Sequence, residues 1–514
     1  MQTNFDVLIV GAGSAGCVLA ARLSENPALR IGLLEAGGPA IDPDIGVPQA
    51  WPRLAGRGYD WAYRTVAQPG TANRRHSWPR GRLLGGSSCI HAMAHMRGHP
   101  EDFEPWAAAT GSVRWSYAGL LPAFRRMEDF SGGASDQHGV GGPLRVMLPD
   151  AELSPVARAY MAAAMEAGAP WVGDHNDGRM TGVAANSLTI RDGRRVSAAD
   201  AWLDPVRPRP NLTVITEGLA ERLLSSGSRI GGVVTSVGGT TQVLSAGITV
   251  LCAGAIGTPL LLMRSGLGPQ AALAQAGIPC RADLAGVGTN LHDHLLTAGN
   301  VYRSARPVPP SRLQHSESMT YLNSANLADA TAQPDVVVGC AVAPIVTEGF
   351  EAPPYGSAYT LLSGVTHPTS RGSITPTGPS LQDEARIDPA YLSTGHDRRL
   401  ARVALDLARR IGAQPALAAW RAAEIYPGAD CRDDAALDAF VQRAVWTHHH
   451  PVGTCRMGRD AGSVVDADLK LHGFDGLYVV DASVIPTITT GPIHAAVLAI
   501  AETFAADVAA PLLA

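Results

Sequence analysis

Phe5-Asp-Val-Leu-Ile-Val10-Gly11-Ala-Gly13-Ser-Ala-Gly16 opens the chain, and the fold is read outward from it. Residues 5–10 are a short, β-branched apolar run, the pattern of a buried strand. Cys17, Val18, Leu19, Ala20, Ala21 and Leu23 continue as a helix that stops at Asn26-Pro27. Residues 30–35 form a second apolar run that ends in Glu35, 22 residues after Gly13. A Gly-x-Gly-x-x-Gly loop between strand and helix, with a carboxylate closing the next strand, is a dinucleotide-binding βαβ unit. Gly11 makes the tight turn, Gly13 lets backbone approach a pyrophosphate, and Gly16 lets helix and strand pack. Ser14 and Ala15 open the helix whose N-terminus holds the phosphates. Glu35, with Ala36 beside it, accepts from a ribose hydroxyl. A carboxylate there disfavours a 2′-phosphate, so NAD or FAD is expected and NADP is not.

The rest of the chain sets the bounds. Its 514 residues predict two large domains or three smaller ones. Apolar residues at 46% against 17% charged leave ample core. The balance of 41 basic and 46 acidic residues gives no reason to expect nucleic acid or an anionic membrane as partner. The longest apolar candidate, residues 495–514, is interrupted by Glu502, Thr503 and Asp507, so no membrane span is expected. Residues 7–10 are too short and lack a basic flank for a signal peptide. Seven cysteines without a CxxC pair predict reduced thiols in a cytoplasmic protein. Strand-like runs return at 212–216, 230–236 and 248–253, the last leading into an apolar helix at 258–264. Residues 335–338 and 360–365 read as strands of a different sheet, 398–411 as an amphipathic helix, 477–480 as a buried strand and 494–509 as an Ala-rich helix. The pattern is α/β at both ends with a β-rich insertion, α+β overall.

Longer motifs decide the cofactor. Arg80-Gly-Arg-Leu-Leu-Gly-Gly-Ser-Ser-Cys-Ile-His91 and Gly254-Ala-Ile-Gly-Thr-Pro-Leu-Leu-Leu-Met-Arg-Ser-Gly-Leu-Gly268 resemble the two signatures of the glucose–methanol–choline (GMC) oxidoreductases, which are FAD enzymes. Asp60-Trp61, Asn211-Leu-Thr-Val, Gly288-Thr-Asn-Leu-His-Asp-His294, Ser370-Arg-Gly372, His450-Pro-Val-Gly-Thr-Cys-Arg-Met-Gly458 and Asp481-Ala-Ser-Val-Ile-Pro486 extend the resemblance over residues 5–505. The resemblance implies a Rossmann-like FAD-binding domain of residues 1–155, 195–300 and 445–514. A β-sheet-and-helix substrate-binding domain of 156–194 and 301–444 completes the GMC fold. Trp61 and Leu83 are then cofactor-binding, Gly86 and Ser87 serve the pyrophosphate or the flavin edge, and His91, Ala92, Met93 and Ala94 follow the flavin ring. Ala220 meets the adenine through its backbone, Asp481 and Ala482 lie by the ribityl and pyrophosphate, and Pro492 and Ile493 reach the ring. Ile90 stands where one branch carries a flavin-linked histidine, so FAD is expected to be non-covalent, with His91 as the alternative linkage site.

The histidines carry the chemistry. His448 and His450 sit two apart before Pro451, and in an extended segment they share a face while His449 turns away. The resemblance makes His450 the base, a task that suits a side chain titrating near neutrality. His448 orients the alcohol oxygen. Pro492 falls where the family has a second His or Asn and offers no donor; a small shift would put His494 there instead. This combination resembles the pyridoxine-oxidising branch. The His91/His95/His99 and His292/His294 spacings are not read as metal sites. The expected reaction is oxidation of a primary alcohol to an aldehyde, with hydride passing to flavin N5 and oxygen or another acceptor reoxidising the cofactor. Pyridoxine is the leading substrate. Another small aromatic or aliphatic alcohol, or a non-redox hydroxynitrile lyase on the same fold, remains open.

Overall fold

The computed structural model, which describes residues 2–510, sets strand Asn4–Val10 inside a seven-stranded sheet. Leu212–Ile215, Ile31–Leu34, Asn4–Val10 and the distal half of Thr240–Leu251 lie parallel. Leu477–Val479 pairs with the end of Thr240–Leu251, also in parallel. Arg229–Val237 and Gly218–Ser226 complete the sheet as an antiparallel meander. The parallel strands read as unbroken apolar runs because both faces are covered. Helix Ser14–Leu23 packs back against the C-terminal helix His494–Phe504. A Cβ on Gly16 would overlap the Gly11 carbonyl and lie 3.5 Å from Ile9 Cγ2, so only glycine lets this helix leave its strand so closely.

The second sheet also has seven strands, all antiparallel: Arg421–Tyr426, Leu295–Ser304, Ala358–Val365, Val336–Ala341, Ser316–Leu322 and Gly182–Ala185, with Val445–Thr447 on the start of Leu295–Ser304. Its central strands are buried on both faces. Helix Gly395–Gly412 covers one. The other carries Leu296, Met319, Tyr321 and Leu362 onto a large cavity shared with the first sheet.

Element bounds differ from the sequence reading where polar residues masked the pattern. The strand expected at 248–253 begins at Thr240, because its first half alternates exposed and buried positions in the meander. The following helix starts at Gly254. The helix expected to reach 509 is α-helical to Phe504 and widens to a π-turn over Ala505–Ala509, and residues 511–514 lie outside the described residues. Glu502, which breaks that apolar run, is buried. It accepts from Arg22 Nε at 3.0 Å, Arg126 Nε at 3.2 Å and Trp202 Nε1 at 3.0 Å, so its charge is met by donors on three other segments. No helix among the described residues is long and apolar enough to cross a membrane.

Candidate active site

A cavity of about 1340 Å³ runs from the glycine loop to the histidine cluster. All the candidate residues named from sequence border it except Gly16, which packs helix on strand, and Leu83, which is buried with Ile45, Leu54, Cys89 and Ile90. At one end helix Ser14–Leu23 points its N-terminus into the space, with no side chain capping its first amides. That leaves donors for an anion. The loop at Gly85 and Gly86 closes from the other side with positive φ at both residues. A Cβ on Gly86 would sit 2.6 Å from Gly13 Cα, whereas a Cβ on Gly13 would meet no protein atom and would enter the cavity. The two loops therefore form a cradle whose floor is bare backbone.

Two buried carboxylates frame this end. Glu35 accepts from the backbone N–H groups of Ala12 and Gly37, both at 2.9 Å. Burial pushes its carboxyl up to about 7 against those donors. Asp481 accepts from Gly254 N at 2.8 Å, Thr258 Oγ1 at 2.6 Å and Ser483 N at 2.8 Å; burial raises it too. Both Glu35 oxygens and Asp481 Oδ1 accept only one bond each and retain acceptor capacity. Ala220 lies on the edge strand where the ladder slips past Glu221, which frees backbone groups beside it. A bare anion cradle, a carboxylate at the strand end and a free strand edge fit an adenine dinucleotide.

At the other end three imidazoles converge. His448 and His450 ring centroids are 4.3 Å apart, and His294 lies 5.2 Å from His450. The segment is not uniformly extended: His449 has φ +66° and its N–H is held by Thr447 Oγ1 at 2.9 Å. The left-handed turn brings its neighbours together, while His449 packs edge-on to Trp446 at 6.1 Å and still borders the cavity. Asp293 fixes the segment, accepting from His450 N at 2.7 Å and from the hydroxyls of Thr447 and Tyr391.

The hydrogen bonds assign the protons. His294 Nε2 lies 2.7 Å from the Thr366 carbonyl, which only accepts, so Nε2 carries the hydrogen. His294 Nδ1 is then an acceptor, and at 2.9 Å it takes the Nδ1–H of His450. His450 Nε2 is left with a bare lone pair. Burial holds His294 and His448 neutral, at about 3, and with the neighbouring imidazoles pushes His450 well below its ordinary value. The three rings offer nitrogens within 4.8 Å of one another, but the 2.9 Å contact is an N–H···N bond that needs no ion to hold it. The Gly288–His294 motif marks His294 and Asp293 in the sequence, but their parts in holding His450 come from the strand pairing that brings the two segments together.

The other histidines disperse. His95 bonds Glu128, His99 accepts from Glu101 N, and His292 joins Asn290 to Ile488. His91 accepts from Met93 N at 2.8 Å, and its ring meets His494 at 4.7 Å. Both His494 nitrogens are buried without a partner in the protein. Pro492 borders the cavity as well. Above the imidazoles the second sheet supplies Leu296, Met319, Leu362 and Trp446, and Met96 joins them from an irregular segment, an apolar wall with aromatic and sulfur surfaces suited to a flat ring.

The GMC oxidoreductase family pattern matches residues 5–296 in its N-terminal part and 368–501 in its C-terminal part. The chain is 53% identical to pyridoxine 4-oxidase of Microbacterium luteolum over 504 residues, covering 98% of this chain and 99% of that one. It is 37% identical to the oxygen-dependent choline dehydrogenase of Ectopseudomonas mendocina (strain ymp), covering 98% and 94%. The crystal structure of pyridoxine 4-oxidase from Mesorbium loti superimposes with TM-score 0.97 at 55% identity over 98% and 99% of the two chains. A mutant formate oxidase from Aspergillus oryzae RIB40 does so at 0.89 and 26%, over 98% of each. With both family segments, near-complete coverage and a cavity that joins a dinucleotide cradle to a buried base, the chain belongs to the GMC oxidoreductase family.

Proposed function

We propose that the protein binds FAD without a covalent link and oxidises the hydroxymethyl group of pyridoxine to the aldehyde of pyridoxal. One observation carries this reading: the His294–His450 hydrogen bond leaves His450 Nε2 unprotonated in a cavity that also contains the dinucleotide cradle. FAD, when bound, supplies the acceptor for the hydride that leaves the carbinol carbon. His450 takes the hydroxyl proton at Nε2, and His448 donates to the same oxygen as it gains negative charge. The glycine cradle, Glu35, Asp481, Ala220 and residues 91–94 hold the cofactor. The Met319–Leu362–Trp446 wall orients the ring and excludes water. Ile90 stands at the usual linkage position and cannot form a flavin bond, which supports non-covalent binding. Oxygen or another acceptor takes the electrons. Residues 1–155, 195–300 and 445–514 make up the cofactor half and 156–194 with 301–444 the substrate half; strand Leu295–Ser304 crosses one join, and Val445–Thr447 opens the last cofactor segment yet pairs into the second sheet. Seven thiols without a disulfide suit a cytoplasmic setting. The test is anaerobic mixing of the yellow protein with pyridoxine. Bleaching of the flavin supports the reading; a flavin that stays oxidised with pyridoxine and with other primary alcohols overturns it.

A further inference from the structure

Behind His448 lies a second, small cavity of about 10 Å³, bordered by His294, Tyr321, Val337, Thr366, His448, Thr490 and the chain at Gly491. That is the space of one water molecule. Its polar border is mostly committed. Both His294 nitrogens are bonded, Thr366 Oγ1 donates to the Pro334 carbonyl, and Thr490 Oγ1 donates to Asp102. Two groups have no hydrogen-bond partner in the protein: the Tyr321 hydroxyl and the His448 ring. Tyr321 is 1% exposed, and its oxygen reaches the Gly491 side, where a Cβ on that glycine would lie 3.2 Å away. Burial raises its phenol, so it stays a neutral donor at working pH. Tyr321 borders this space as well as the large cavity, so its hydroxyl is open to a water.

We propose that Tyr321 is a positioning residue: it donates to a water held in this cavity, which donates to the inner nitrogen of His448 and so fixes His448 with its N–H toward the alcohol oxygen. The direction follows from the inventory. Tyr321 has one proton and no protein acceptor, so it donates to the water. The water then has two protons to place, one on His448 and one on the free lone pairs of Thr490 Oγ1 or the Thr366 carbonyl. A neutral imidazole that accepts at one nitrogen carries its hydrogen on the other. His294 and Tyr321 thus play matching parts, the first leaving His450 bare and the second leaving His448 protonated on the side of the substrate. This inference rests on the proposed alcohol oxidation and deepens it.

The test is flavin reduction by pyridoxine in Tyr321→Phe, in Val337→Ile, which narrows the cavity from the neighbouring strand and keeps the Tyr321 hydroxyl, and in each combined with His448→Ala. Both single variants are expected to lower the limiting reduction rate about 3- to 10-fold with little change in half-saturating pyridoxine, while melting temperature and FAD content stay at the wild-type level. Neither should slow His448→Ala further, because the residue acted upon is gone. A normal rate in Tyr321→Phe, or equal losses with and without His448, overturns the inference. Reduction of the wild-type enzyme by pyridoxine, read in the same experiment, separates that outcome from failure of the alcohol-oxidase reading. Should Tyr321→Phe not hold FAD, Val337→Ile decides alone.

Discussion

The two ends of the cavity are built in opposite ways. The cofactor end starts from neighbours in sequence: two strands, a glycine loop and a helix within residues 4–35 supply Glu35 and one wall of the cradle, which the Gly85–Gly86 loop then closes. The alcohol end is assembled from distant segments. His450 is held by Asp293 and His294, His294 by Thr366, and the surrounding wall by strands between 295 and 365. Local geometry makes a binding site that tolerates single changes, whereas the distributed end sets one proton at one nitrogen and depends on each member.

Substitutions should divide along that line. His450→Ala is expected to slow flavin reduction about 100- to 10,000-fold while the protein still carries FAD. Stopped-flow absorbance checks it, and a near-normal rate would remove His450 from the chemistry. His448→Ala should cost about 10- to 150-fold, the loss of one bond to a charged oxygen. Adding Pro492→Asn to that variant should recover part of the loss, and no recovery would return the donor role to His494. At the cofactor end, Glu35→Ala should weaken FAD binding about 10-fold or more and leave the reduction rate of the remaining holoenzyme intact. FAD titration of the apoprotein measures this, and unchanged affinity would mean that Glu35 does not meet the ribose. His449→Ala should barely alter the chemical step.

Acid should also strike the distributed end first. His292, His294, His448, His449 and His494 are held at about 3 by burial, far below an ordinary imidazole. Between about pH 3 and 6.5 the unfolded chain therefore binds more protons than the folded one, and stability present above that window is lost as pH falls through it. Glu35, raised to about 7, and the buried carboxyls of Asp293, Glu317 and Asp481, also raised, have the opposite sign, but the lowered imidazoles, which include His76, His91, His175 and His450 as well, outnumber them. The melting temperature should be level above pH 7 and drop below 6.5. A melting temperature that rises on acidification would show that these rings are not buried neutral.

Legibility followed the same division. The glycine loop, Glu35 and the first two strands could be read because their signals are local. The His448/His450 pair was visible as spacing, but the reason they converge was not: His449 takes a left-handed turn that no pattern of period two contains. The roles of His294 and Asp293 needed the pairing of strand Leu295–Ser304 with Val445–Thr447, which brings residues more than 150 apart into hydrogen-bond contact. Tyr321 and Met319 gave no signal at all, since a strand buried on both faces has no alternation to mark which side meets a ligand.

The chemistry of the alcohol end turns on where one hydrogen sits. Nitrogen-15 NMR of histidine-labelled holoenzyme at pH 7, with His450 assigned through His450→Gln, reads it directly. The account predicts a hydrogen on His450 Nδ1 and none on Nε2, and loss of that preference in His294→Ala. A hydrogen on Nε2 in the wild-type enzyme would contradict it, because His450 would then face the alcohol with a donor and have no lone pair to receive the proton.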